Sequence, residues 1–153
     1  MPETRKKLAA QAWGSLLQVH AALLPELDGR LRDATGLPLT WYDVLLELSG
    51  ARDGRLTMSQ LGERAVLSRS RVSRVVDELT RAGLVRRDAH PEDARSSYAV
   101  ITEAGLARFR EAAPVYVSGI EDQFAGALTV SDLQQVRSLL QRVLDRHDGV
   151  LPR

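Results

Sequence analysis

The strongest constraint on this chain is a helix able to bury only one of its faces. Between Ser68 and Arg81, Val72, Val75, Val76 and Leu79 fall at i, i+3, i+4 and i+7, which at about 100° per residue places them on one narrow apolar stripe. The opposite face collects Ser70, Arg74, Asp77 and Arg81, with Ser73 on one flank and Arg71 on the other. A solvated helix ordinarily mixes Glu, Lys and Gln on its outer face. The first two turns here hold only Ser and Arg outside the stripe. Short hydroxyls let a partner's backbone approach, and guanidinium forks match phosphates and the O6/N7 edge of guanine. For a helix taken alone, a merely solvated arginine face is the competing reading. Its neighbours decide between the two.

Upstream, Thr57-Met-Ser-Gln60 has the spacing of a capping box, in which hydroxyl and amide each satisfy a free backbone N–H. It predicts a helix from about Met58 to Ala65 with Leu61 and Ala65 facing inward. Val66-Leu67-Ser68 is then a tight connection, with Ser68 as the next N-cap. Downstream, Gly83 stands where a left-handed C-cap is usual. Leu84–Arg87 and Tyr98–Ile101 read as two strands around the polar loop Asp88–Ser97, which contains Pro91. This is a β-wing with Arg95 at its tip. The expected fold is mainly α with a small β-wing, a winged helix-turn-helix embedded in a helical dimerisation frame. The expected partner is double-stranded DNA.

The wing also carries a family signature. Asp93, Arg95, Ala99, Ile101, Thr102 and Gly105 match Asp-x-Arg-x-x-x-Val-x-Leu-Thr-x-x-Gly, with Ala for Val and Ile for Leu. In this motif, and in helix order from about Gln11 to Leu144, the chain resembles the MarR family of bacterial transcription regulators. The resemblance implies a homodimer that places one recognition helix per subunit in the major groove and one wing arginine, here Arg95, in a flanking minor groove. It also implies a repressor released by a small aromatic or anionic effector held between helical frame and winged domain. Trp13, His20, Arg108 and the segment ARFREAAPVYV further resemble the urate-responsive branch. That branch pairs a first-helix tryptophan with an acidic residue near the reading unit and an arginine after the wing. Trp13 and Arg108 take two of these places and Glu63, where the branch has Asp, the third. From the residues alone, Trp13 reads more simply as a core or interface aromatic, His20 as a packed core histidine, and Arg108 and Arg110 as solvated.

The flanks read as the helical frame. Trp13, Leu16, Leu17, His20, Leu24, Leu27 and Leu31 recur at helical steps, with Pro25 expected to kink or break their helix. Thr40-Trp-Tyr-Asp43 opens a second helix to about Leu48, and a short strand is expected near Arg55-Leu56. Thr102 caps a helix carrying Leu106, Phe109, Ala113, Tyr116, Ile120 and Phe124, bent at Pro114. The last helix is expected from about Ser131, with Gln134 at capping-box spacing, through Leu133, Val136, Leu140 and Val143 to about His147, before Gly149 and Pro152. These helices carry more apolar face than one winged helix can cover, so the first and last are expected to pack across a twofold axis. The division is residues 1–39 as N-terminal dimerisation helix, 40–101 as DNA-binding domain and 102–153 as C-terminal dimerisation helices intertwined with the first.

Net charge is only +1, but it is unevenly spread: Arg55 to Ile101 carries nine basic and six acidic residues, and each flank is −1. Three of the six acids, Asp88, Glu92 and Asp93, crowd the wing, and Asp93 is expected to orient Arg95 by a charge-assisted hydrogen bond. With no cysteine in 153 residues, disulfides, thiolate metal sites and thiol-based redox sensing are excluded. No run of eighteen apolar residues or signal-peptide pattern occurs, so a cytoplasmic protein without membrane association is expected. The three histidines lie far apart, and there is neither a phosphate-binding glycine loop nor a metal-ligand spacing, so no enzyme, metal or cofactor is expected. A winged helix used only for protein contacts is the alternative, against which the Ser/Arg face argues.

Roles follow from position. Ser68, Ser70 and Ser73 are candidates to donate near the helix N-terminus. Arg69, Arg71 and Arg74 are candidate base or phosphate contacts, with Arg74 central and Arg71 at the groove edge. Arg86 and Arg87 are candidate phosphate contacts, and Arg95 reaches from the wing. Asp77 and Arg81 are expected to pair with each other or with Arg74.

Overall fold

The computed structural model describes residues 3–65 and 67–147. Val66, part of the expected connection, and the expected terminator residues Gly149 and Pro152 lie outside them. Among the described residues, six α-helices and three strands follow in the order α1 (Arg5–Thr35), α2 (Leu39–Gly50), β1 (Arg55–Thr57), α3 (Met58–Arg64), α4 (Arg69–Arg81), β2 (Val85–Ala89), β3 (Ser97–Ile101), α5 (Glu103–Gln123) and α6 (Val130–Asp145), with single 3-10 turns at Arg52–Gly54 and Ala125–Ala127. The fold is mainly helical with a small antiparallel wing. No helix of the described residues is long and apolar enough to cross a membrane.

The core forms around α2, whose Leu39, Tyr42, Val44, Leu45 and Leu48 are all buried. Leu31 of α1, Leu61 of α3, and Val76 and Leu79 of α4 are fully enclosed with it. The α4 stripe is therefore satisfied inside its own chain, at roughly 1.5–3 kcal/mol for each fully buried aliphatic side chain. Helix α5 closes the other side: Tyr42 lies 5.5 Å from the Phe109 ring and 4.7 Å from that of Tyr116. Arg30 of α1 pairs with Asp122 of α5 at 2.7 Å.

Expected helix breaks and starts differ in three places. Pro25 does not break α1, which runs unbroken for 31 residues. A proline forfeits one backbone hydrogen bond, but Leu27 and Leu31 beyond it are buried and hold the chain helical. Helix α2 starts at Leu39 rather than Thr40, and its N-cap, Pro38, has no side-chain cap. Asp28 of α1 supplies one from a distance: its Oδ1 accepts from the Leu39 N–H at 2.8 Å while Oδ2 holds Arg32 at 2.8 Å. Helix α6 is capped by a Thr129–Asp132 box, one position before its first residue, and not by Ser131 and Gln134. Asp132 there accepts two short hydrogen bonds from Thr129, from its backbone N–H and its hydroxyl, and returns its own N–H to that hydroxyl, so its carboxyl titrates below the usual range.

The wing is a three-stranded sheet in the order β1-β3-β2. Two glycines fix its root. Gly83, at φ 76°, ends α4 in the left-handed region. Gly105 packs so tightly on the chain entering β2 that a Cβ there would collide with the Leu84 carbonyl. Thr102 completes the joint by donating its hydroxyl to the Gly83 carbonyl at 2.7 Å and accepting the Gly105 N–H. The signature Thr-x-x-Gly is thus the hinge pin of the wing.

Candidate nucleic-acid interface

Helix α3 begins with the Thr57–Gln60 capping box, and Ser68 accepts the Arg71 N–H as N-cap of α4. These two caps fix where the helix pair starts and therefore which face of α4 turns outward. Val72, Val75, Val76 and Leu79 are each 5% exposed or less. The outward side carries Ser68, Arg69, Ser70, Arg71 and Arg74, all exposed, with Ser73 half-buried on the flank.

Arginines on this surface divide into two groups. Among the described residues, the guanidinium groups of Arg69, Arg71, Arg74 and Arg95 have no ion pair or hydrogen bond, whereas those of β2 are engaged. Arg86 grips Asp88 of its own strand at 3.2 and 3.3 Å. Arg87 reaches α4, with Nη2 2.8 Å from Asp77 Oδ1. Asp77 thus pairs with Arg87 and not with Arg74 or Arg81, because Arg81 Nε turns back to the backbone carbonyl of Asp77. Asp93 does hold Arg95, but through its backbone: the Arg95 N–H donates to Oδ1 at 2.9 Å and the Ser96 hydroxyl to Oδ2. The acid thus shapes the wing tip and leaves the Arg95 fork unoccupied. At the wing's flank, His90 stacks on Tyr98 at 4.9 Å and Arg55 lies 4.5 Å from the centre of that ring.

Behind the reading surface, a cleft of about 730 Å³ opens between α1, α2 and the α3–α4 pair. Leu24, Pro25, Leu39, Leu46 and Leu67 give it apolar walls; His20, Asp43, Glu47, Arg64 and Arg71 bring charge or hydrogen-bonding capacity to it. Burial, with Glu47 one turn away as a second cause, pushes Asp43 up to about 6. Glu47 is also raised by burial, with Arg64 opposing the rise. No motif in the sequence points to Asp43 and Glu47 as cleft residues, although like charges at i and i+4 on an otherwise apolar helix are a readable signal.

Of the ligand candidates from sequence, only His20 lines this cleft. Trp13 is 61% exposed, and its 22-residue separation from Thr35 along one helix corresponds to about 33 Å. Arg108 sits at the Thr35 end, donating to that residue's carbonyl at 2.7 Å and to Glu111. Within one chain, then, Trp13 and Arg108 are held far apart. Glu63 is exposed on α3. No group of three or more His, Asp or Glu that could hold a metal occurs among the described residues.

Helix pair, wing and outward Ser/Arg face together define a winged helix-turn-helix protein. Residues 35–96 match the model of the MarR family. A MarR family transcriptional regulator from Streptomyces coelicolor, AbsC, is 30% identical, with 97% of this chain and 99% of that one superposing at a TM-score of 0.82. Another from the same organism, solved in complex with DNA, is 29% identical over 99% of this chain and 92% of that one, at a TM-score of 0.81. The chain belongs to the MarR family of regulators. Among curated relatives from Bacillus subtilis, the HTH-type transcriptional regulators MhqR and YkoM are 29% and 33% identical over 59% and 65% of this chain. The matches span 61% and 63% of those relatives' length.

Proposed function

We propose that the protein is a sequence-specific DNA-binding transcription regulator, acting as a homodimeric repressor on a palindromic operator and released by a small ligand. The observation that carries this reading is the division of the arginines. Arg69, Arg71, Arg74 and Arg95 are exposed with unengaged guanidinium groups on the recognition helix and wing tip, where a duplex can take their hydrogen bonds. The similar regulator from Streptomyces coelicolor crystallised in complex with DNA supports it.

The helical frame supports a homodimer. Trp13, Leu16 and Leu17 on α1, and Val130, Leu139, Leu140, Val143 and Leu144 on α6, are all 39–73% exposed. That is far more apolar surface than a stable monomer leaves to water. A second copy covers it and sets two recognition helices over half-sites about 34–36 Å apart. Repression accords with YetL of Bacillus subtilis and MprA of Escherichia coli, whose names describe transcriptional repressors.

The effector belongs in the cleft, because Arg71 is common to its lining and to the reading surface. An aromatic body fits the leucine walls, and Arg64 or Arg71 can receive an acid group. Asp43 and Glu47 disfavour a bare anion, so a ligand pairing its acid group with a hydroxyl or N–H donor suits the site better.

Fluorescence anisotropy on DNA from upstream of the protein's own gene, against a scrambled duplex, tests the reading. Preference for the upstream DNA, falling steeply with salt and lost on Arg74→Ala, is expected. Equal binding of both duplexes contradicts it.

A further inference from the structure

We propose that Arg87 is a positioning residue that sets the angle between recognition helix and wing, and not one of the phosphate contacts; this rests on the DNA-reading function proposed above. In the sheet register Arg87 stands opposite Ala99, which in turn faces Leu56. Ala99 and Leu56 are 0% and 4% exposed. That row looks toward the helices, whereas Arg86, one residue earlier, lies on the other face and pairs along its own strand. The Arg87 side chain therefore leaves the core row at its open edge and lands on the flank of α4. There Nη2 meets Asp77 Oδ1 at 2.8 Å and both the carbonyl and the hydroxyl of Ser73 at 3.3 Å.

Ser73 and Asp77 are one helical turn apart and bracket Arg74, the central groove-facing arginine. Among the described residues, this is the one side-chain polar link between α4 and β2. With Arg87 and Asp77 side chains 35% and 54% exposed, the pair adds little to global stability. Its leverage is geometric. A hairpin rising about 3.3 Å per residue places the wing tip up to about 25 Å from its root, so a tilt of roughly 10° displaces Arg95 by about 4 Å. That exceeds the tolerance of any hydrogen bond.

Asp77→Asn separates the two roles by the sign of its effect. The change is isosteric at an exposed position, so the fold is kept. Were Arg87 a phosphate contact, removing the acid would free its guanidinium and lift a repulsion, and DNA binding would tighten. As a positioning pair, Asp77→Asn and Arg87→Gln should each weaken operator binding about tenfold, with the double variant no worse than the weaker single one. The operator-to-scrambled ratio should fall, and the slope of log affinity against log salt should match wild type. Tighter binding by Asp77→Asn, additive losses, or a slope reduced by about one unit in Arg87→Gln overturns the assignment while leaving the DNA-reading function intact. A wild-type protein without operator preference overturns that function, and the assignment with it.

Discussion

Helices α4 and α6 are built on the same sequence grammar, a stripe of Val and Leu at helical steps against a polar face, and end in opposite states. The four stripe residues of α4 are 5% exposed or less, whereas Val130, Leu139, Leu140, Val143 and Leu144 of α6 are 39–73% exposed. An apolar stripe states that a face will be covered. It does not state by what. Helix α4 is short, tightly joined to α3 and followed by a hairpin that folds back, so its cover lies within the same chain. Helix α6 follows α5 out of the core, and what covers it is, in our proposal, the second subunit.

The contrast is broken most severely by placing charge in the α6 stripe. Leu140→Glu with Val143→Glu should give a folded monomer by light scattering and cost operator affinity at least a hundredfold, because two half-sites no longer bind as one unit. An unchanged dimer would place the interface elsewhere. The converse change in α4 acts on the monomer: Leu79→Ala should lower unfolding free energy by about 2–5 kcal/mol in urea titration, with the solvent-exposed Leu139→Ala giving well under 1 kcal/mol in a monomeric background.

A smaller effect belongs to the cleft. The folded-state pKa of Asp43 is raised to about 6 from 3.8. The folded protein therefore holds this proton more tightly than the unfolded chain, and stability falls as pH rises from about 4 through 6. Asp43→Asn should remove that loss, raising stability at pH 7.5 by on the order of 1–2 kcal/mol after allowance for partial solvation and flattening the curve of Tm against pH across the interval between 3.8 and about 6. A curve that keeps the wild-type slope would show that another group titrates.

The same contrast explains what was legible in the sequence. Local rules carried the reading unit: the capping box at Thr57, the Ser68 cap, the left-handed Gly83 and the α4 stripe all depend on residues within a few positions of one another. Where an element is completed by a distant segment, sequence reading failed. Thr40 looked like the start of α2 because its true cap, Asp28, lies eleven residues upstream. Asp77 looked like a partner for Arg81 because Arg87 reaches it from the wing. Pro25 looked like a break because the buried Leu27 and Leu31 that hold α1 helical are engaged by other elements. For α6, spacing alone does not place the cap, since Thr129–Asp132 and Ser131–Gln134 have the same spacing and only the first closes a box.

Selection of randomised duplexes by the purified protein, followed by sequencing of the bound fraction, tests most directly whether two copies of this chain read DNA together. Enrichment of an inverted repeat with half-site centres about 34–36 Å apart is expected. A pool without enriched sequence, or one enriched in a single unrepeated half-site, would contradict it.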